Sequence, residues 1–287
     1  MKKIVSSVLF VLLCSFYSYA QDSNAVAPQP DSASATPQTD AATSESPKPE
    51  PAKWKKSGVL MLSYNQTAPS DNWAGTESYS RSWSARLDLS AERTASNTNW
   101  LTTFKEYYGE TESKDTHAVS LDMIEFNTVW VYRIYRYLQP YGSFYVLSQN
   151  NRFWDPVTYM ESAGLNFTIM ENAVNTLKVR AGGALRQVDD SINGNKRESG
   201  AEGVMNYSLL FHKSARFVSE ARVFESFENG EDLRWDNRLF LKTGPWFTTE
   251  FGYTVFFDRS RIPAHSWPHD VETLLYAGIG FSFNVFQ

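Results

Sequence analysis

Leu275-Tyr276-Ala277-Gly278-Ile279-Gly280-Phe281-Ser282-Phe283-Asn284-Val285 puts Leu275, Ala277, Ile279, Phe281, Phe283 and Val285 on one alternation phase. The other phase holds, after Tyr276, only Gly278, Gly280, Ser282 and Asn284. One face of such a strand suits hydrocarbon and the other suits water. A period of two kept up this long matches a strand crossing a bilayer obliquely, where ~9–11 residues span the apolar core. Strands of soluble sandwiches are typically about half that length.

Working outward from this segment, the same rhythm recurs back to Trp54 and predicts strands near 58–66, 79–93, 99–108, 117–132, 137–148, 157–170, 175–188, 200–211, 216–227, 232–242, 246–257 and 272–286. Twelve is an even number, as a single-chain bacterial barrel requires. The connections after odd strands run 67–78, 109–116, 149–156, 189–199, 228–231 and 258–271. Those after even strands run 94–98, 133–136, 171–174, 212–215 and 243–245, and five of the six odd connections exceed all of these in length. Long outer loops and short periplasmic turns are the usual barrel asymmetry. The expected fold is therefore all-β, an antiparallel transmembrane β-barrel of about twelve strands over residues 53–287.

Phase within strands agrees. Tyr79, Trp83, Ala85, Leu87 and Leu89 oppose Ser80, Ser82, Ser84, Arg86 and Asp88, and Arg81 alone breaks the pattern. In the fourth strand Val119, Leu121 and Met123 fall out of phase with Ile124, Phe126, Trp130 and Tyr132, which a bulge near Asp122 would repair. Trp100, Tyr107, Tyr108, Tyr132, Tyr135, Tyr137, Tyr141, Trp246 and Tyr253 gather near strand ends, where amphipathic rings suit headgroup depth.

The chain opens with Lys2 and Lys3, an apolar run from Ile4 to Leu13, and small residues at Ser18 and Ala20. This is the pattern of a signal peptide over residues 1–20, cut after Ala20. Leu13 stands before Cys14 where a lipobox carries a small residue, so cleavage and not lipidation is the reading. The single cysteine then leaves with the signal, and no disulfide framework or thiolate metal site is expected. Residues 21–52 hold six prolines among Ala, Ser, Thr and Asp, and no aromatic residue. Such a segment buries too little to offset ordering entropy and reads as a disordered periplasmic linker. Export, a β pattern, 15% aromatic residues and no later apolar run of membrane-helix length point to the outer membrane of a Gram-negative bacterium. The linker and the C-terminus would face the periplasm. Outer-membrane lipid and the barrel-insertion machinery are the implied partners. The net charge of −5 argues against nucleic acid.

Trp54-Lys55-Lys56-Ser57-Gly58, then Asn65-Gln66 and Ser70-Asp71-Asn72-Trp73-Ala74-Gly75, resembles the opening of an uncharacterised outer-membrane family, domain-of-unknown-function family 3078. Ser57 and Thr76 stand where that family commonly has glycine. The spacing of the closing strands also resembles small outer-membrane barrels associated with salt stress. Both resemblances imply a barrel in the outer membrane and supply no catalytic residue.

The richest chemistry lies on the inward phase of strands seven to ten. Lys178, Arg180, Arg186, Arg216, Arg222, Arg234, Arg238 and Lys242 oppose the outward Leu177, Val179, Val223, Leu233, Leu239 and Leu241. The acids on that phase are fewer: Glu202, Glu220 and Asp236. If water fills the lumen, these residues line a narrow channel favouring small anionic solutes. If side chains fill it, they form a paired ladder holding a closed structural barrel together, or one whose outer loops 70–75 and 261–269 meet a partner.

Catalysis has little to stand on. His212-Lys213-Ser214 reads as a polar turn, and no nucleophile elbow, phosphate loop or set-apart acid pair is present, so an outer-membrane lipid enzyme is the least favoured reading. His265 and His269 flank Pro268, which excludes the helical spacing of zinc ligands. Asp189, Ser191, Asn193 and Gly194 mimic a calcium loop whose twelfth position is Gly200 where glutamate is required. No cofactor or metal is expected.

Overall fold

The computed structural model describes residues 53–67, 80–113, 116–135, 139–152, 154–192, 194–228, 230–258 and 271–285. The expected signal peptide and linker, the loops 70–75 and 261–269, Tyr79, Tyr137 and Asn193 lie outside these residues.

Twelve strands form, named here β1 (Lys53–Thr67), β2 (Ser80–Thr94), β3 (Thr98–Ser113), β4 (Thr116–Tyr132), β5 (Gln139–Ser148), β6 (Val157–Glu171), β7 (Asn175–Asp189), β8 (Lys196–His212), β9 (Ala215–Ser226), β10 (Gly230–Lys242), β11 (Phe247–Asp258) and β12 (Val271–Phe283). Each pairs antiparallel with the next, and β1 pairs with β12 to close the ring. Closure satisfies the edge hydrogen bonds that an open sheet would expose in lipid. One rim carries both ends of the barrel chain and is called the terminal rim below; the opposite one is the loop rim.

All twelve expected strands are present, and the differences fall at their ends. Residues 109–116, expected as a loop, are mostly strand: β3 and β4 stay paired to Ser113↔Thr116. β8 likewise begins at Lys196 instead of residue 200. Hydrogen-bonded hairpins therefore project past the apolar band, and the length contrast between the two rims is weaker than the sequence suggests. The phase slip in β4 is indeed a bulge, but it sits at Ser120, because Gly109 pairs with Leu121 and Glu110 with Val119. Further bulges at Ile169 in β6 and Phe211 in β8 leave both of these side chains exposed near the terminal rim.

The register fixes which side chains face out. Leu60 and Leu62 on β1, Leu165 on β6, Leu185 on β7 and Leu275, Ile279, Phe281 and Phe283 on β12 are exposed large apolar groups on the outer face. So broad an apolar surface is what a bilayer accepts and water does not. Trp54, Trp100, Trp130, Tyr132 and Trp246 gird the terminal rim; Tyr64 and Tyr253 stand nearer the loop rim. Trp100 Nε1 donates to Thr128 Oγ1 at 2.6 Å, and Trp130 stacks on Tyr132 at 6.0 Å. Tyr107 and Tyr141, expected in these girdles, point inward instead and are buried. One acid departs from the outer pattern: Glu106 pairs with Leu87 and Ile124, in the outward phase, and neither carboxylate oxygen has a hydrogen-bond partner among the described residues.

Inside, packing is layered. Val59, Met61, Phe240 and Val285 cluster toward the terminal rim, while Tyr145, Met160, Ala184 and Phe224 cluster toward the loop rim. Val285 reaches the lumen because Asn284 takes a left-handed backbone (φ 56°) and its Nδ2 donates to the Lys56 carbonyl at 2.9 Å. Asparagine is among the residues that adopt this conformation most readily. The closing seam is short, Gly58↔Phe283 to Leu62↔Ile279. It is also tight, since a Cβ on Gly280 would lie 1.9 Å from the Leu60 carbonyl oxygen.

Candidate functional site in the lumen

Between the two apolar clusters lies a layer of charge. Alternation places Arg86 and Asp88 of β2, Lys105 of β3, Glu125 of β4, Arg180 of β7, Glu202 of β8, Glu220 and Arg222 of β9, Arg234, Asp236 and Arg238 of β10, and Glu250 of β11 on the inward phase, and their side-chain contacts join them into one layer. In this layer six cations face six anions.

The contacts cross the lumen. Arg234 Nη1 lies 2.5 Å from Glu125 Oε2, and Lys105 Nζ lies 3.1 Å from both Glu125 Oε1 and Glu220 Oε2. β4 and β10, like β3 and β9, stand opposite each other in the ring. Arg238 reaches Asp88 on β2 at 2.8 Å, and Arg86 reaches Glu250 on β11 at 3.3 Å. Tyr107 donates to Asp88 at 2.7 Å and Tyr276 to Glu250 at 2.8 Å. Their rings also sandwich the Arg86 guanidinium at 4.1 and 3.7 Å, satisfying its flat faces. Arg234 Nε forms an ion pair with Asp236 Oδ2 at 2.9 Å, and Asp236 Oδ1 accepts a hydrogen bond from Thr254 at 2.7 Å.

All eleven residues singled out in the sequence lie on the inward phase, but they do not share one environment. Arg222 pairs with Glu202 at 2.8 Å and lies over the Tyr145 ring at 4.0 Å. Arg186 sits above the layer with Glu198 and Asp232. Lys178 is nearer the terminal rim, 3.3 Å from Glu171. Arg216 donates to Ser208 and to the Val285 carbonyl, tying β9 to the chain end. The basic wall read from β7 to β10 is thus matched by acids from elsewhere. Asp88 is legible in the sequence as an inward residue but not as a partner of this wall; Glu125 and Glu250 could have been found from their phases opposite Phe126 and Phe251.

Buried ion pairs contribute little net stability over apolar packing, because desolvation offsets most of the attraction, yet removing one partner is costly. What such a layer does is fix register across the ring and occupy the lumen. His212 Nδ1 lies 2.9 Å from Ser214 Oγ in an exposed turn at the terminal rim, far from this layer in the fold. Of the residues that mimic a calcium loop, Asp189 accepts from Gln187 and Ser191 is turned to Asp155, while Asn193 lies outside the described residues. Among the described residues no three His, Cys, Asp or Glu side chains converge as a metal site would need.

No family model matches the chain, and no curated protein does. Solved structures of similar architecture include an outer-membrane channel from Pseudomonas putida F1, at 7% identity over 86% of this chain and 100% of that one, with a TM-score of 0.44. The NanC porin is 8% identical over 78% of this chain and 98% of its own, also with a TM-score of 0.44. The translocator domain of the autotransporter NalP from Neisseria meningitidis is 11% identical over 79% and 88%, with a TM-score of 0.38.

Proposed function

We propose that this protein is an outer-membrane channel held shut at rest by its own side chains, with both ends of the barrel chain on the periplasmic side. The observation that carries this reading is the pair of contacts Arg234–Glu125 and Lys105–Glu220, which bridge the lumen between opposite strands. An open diffusion pore keeps its charges on the wall, facing water. Here the charges meet in the middle. Among the described residues the block is made of side chains on the barrel strands themselves, and it opens by exchange of ion-pair partners. Outer-membrane lipid contacts the outer face, and Ile279, Phe281 and Phe283 present the apolar pattern that insertion machinery would meet.

Small anions are the favoured solutes for one specific reason: Arg180 and Arg222 share the single carboxylate of Glu202. Single-channel recording of the refolded protein in a planar bilayer tests both parts. The wild type should be closed, with brief small steps, and the double replacement Arg234→Gln with Glu125→Gln should raise conductance severalfold. Steady wide steps from the wild type would sink the closed-channel reading. Reversal potentials in a salt gradient that do not change in Arg180→Gln/Arg222→Gln would remove the anion preference alone.

A further inference from the structure

The inner wall has a gap beside Glu202. The register row Tyr141↔Gly164↔Gly182↔Glu202 runs across β5 to β8 on the inward phase, and its two central positions carry no side chain. Neither glycine tolerates one: a Cβ on Gly164 or Gly182 would lie 2.2 Å from the carbonyl oxygen of Ala181 or Ala163, respectively. The row is therefore a floor of bare backbone about two strand spacings wide, on the order of 10 Å, between a tyrosine and a carboxylate.

Arg180 reaches over that floor. Its guanidinium carbon lies 5.8 Å from the centre of the Tyr141 ring, and its Nη2 lies 3.9 Å from Glu202 Oε1, too far for a hydrogen bond. Arg180 is 6% exposed, and its Nε and Nη2 have no hydrogen-bond partner among the described residues. Nη2 of Arg222 is likewise buried and unpartnered, while Nη1 of that residue holds Glu202. Ser162 spends its hydroxyl on Glu202 as well. Two guanidinium groups thus contact one carboxylate directly, and three of their buried nitrogen donors are left unsatisfied. A buried guanidinium left so is strongly disfavoured unless something accepts from it.

We propose that the gap over Gly164 and Gly182 binds one small monovalent anion, of halide or formate size, held by Arg180 and Arg222 and kept to a single charge by Glu202. A planar carboxylate suits the guanidinium fork, and a halide suits convergent N–H donors. A divalent anion is disfavoured because the second charge would face Glu202. This site goes beyond the closed-channel reading and does not rest on it, since the gap exists whether or not ions cross the barrel.

The test uses the full chain refolded in detergent, unfolded by urea in chloride, in formate, and in gluconate as a bulky control at one ionic strength. The wild-type midpoint should rise saturably with chloride or formate and stay flat in gluconate. Arg180→Gln should weaken the apparent affinity at least tenfold, whereas Arg81→Gln, whose partner is Glu112 near the loop rim, should keep the response. Equal midpoints in all three salts, or an undiminished response in Arg180→Gln, would overturn the site. If Arg180→Gln fails to fold, wild-type crystals grown in bromide decide the matter. An anomalous peak within hydrogen-bond distance of both guanidinium groups supports the site, and no peak there overturns it. Neither readout depends on conductance, so failure here leaves the channel reading standing.

Discussion

Arg238 and Asp88 lie on strands separated by β11, β12 and β1, and neither has water enough around it to stand alone. Replacing Arg238 by Gln leaves Asp88 with the Tyr107 hydroxyl as its remaining neutral donor, and this uncompensated charge should cost on the order of 3 kcal/mol in a urea titration. Adding Asp88→Asn should recover part of that loss, because two amides hydrogen-bond without carrying charge. A coupling energy of about 1–3 kcal/mol in the double-mutant cycle would confirm the direct pair, and additivity would refute it. The identity of such partners was not legible in the sequence. Alternation tells which way Asp88 points, but only the ring's curvature and register tell that β10 supplies its cation.

The β1–β12 seam shows what an element-scale reading yields. The alternation of Leu275–Val285 announced both the strand and its outward face, and Gly278 and Gly280 read simply as small inward positions. The structure gives Gly280 a sharper role, since β1 approaches too closely for any side chain. Gly280→Ala should therefore cost about 1–3 kcal/mol by overpacking, whereas Gly142→Ala, at a position with open space around the missing Cβ, should change the urea midpoint little. The hairpins at the loop rim carry a second device. Asp155 accepts from the Ser191 backbone N–H at 2.9 Å and from its hydroxyl, clipping the β5–β6 connection to the β7–β8 turn. These bonds hold its carboxyl below the ordinary aspartate value. The clip is thus fully formed above the unfolded-state value, about 3.9, and is lost as pH falls through the lower folded value. Carboxyl NMR titration should show this depression, and Ser191→Ala should return the Asp155 value toward normal; an unchanged titration would refute the clip.

At the scale of the whole molecule, strand number, closure and the inward and outward faces follow from one periodicity because a barrel wall has only two environments, and a period of two reports both. The lumen's content does not follow, because contacts such as Lys105–Glu220 join residues over a hundred positions apart. Strand ends were least legible, as in β3 and β8, where pairing continues past the apolar band and the hydrophobic signal stops first. Hydrogen bonding, not burial, sets those ends. The inward turn at Asn284 has a bearing on assembly as well as on packing. Val285 finds Val59, Met61 and Phe240 only when β12 has already joined β1, for until then there is no enclosed space for it to enter. The mouth at the terminal rim is therefore corked by the last residues to gain their surroundings, and a barrel that fails to zip its seam stays uncorked at that end.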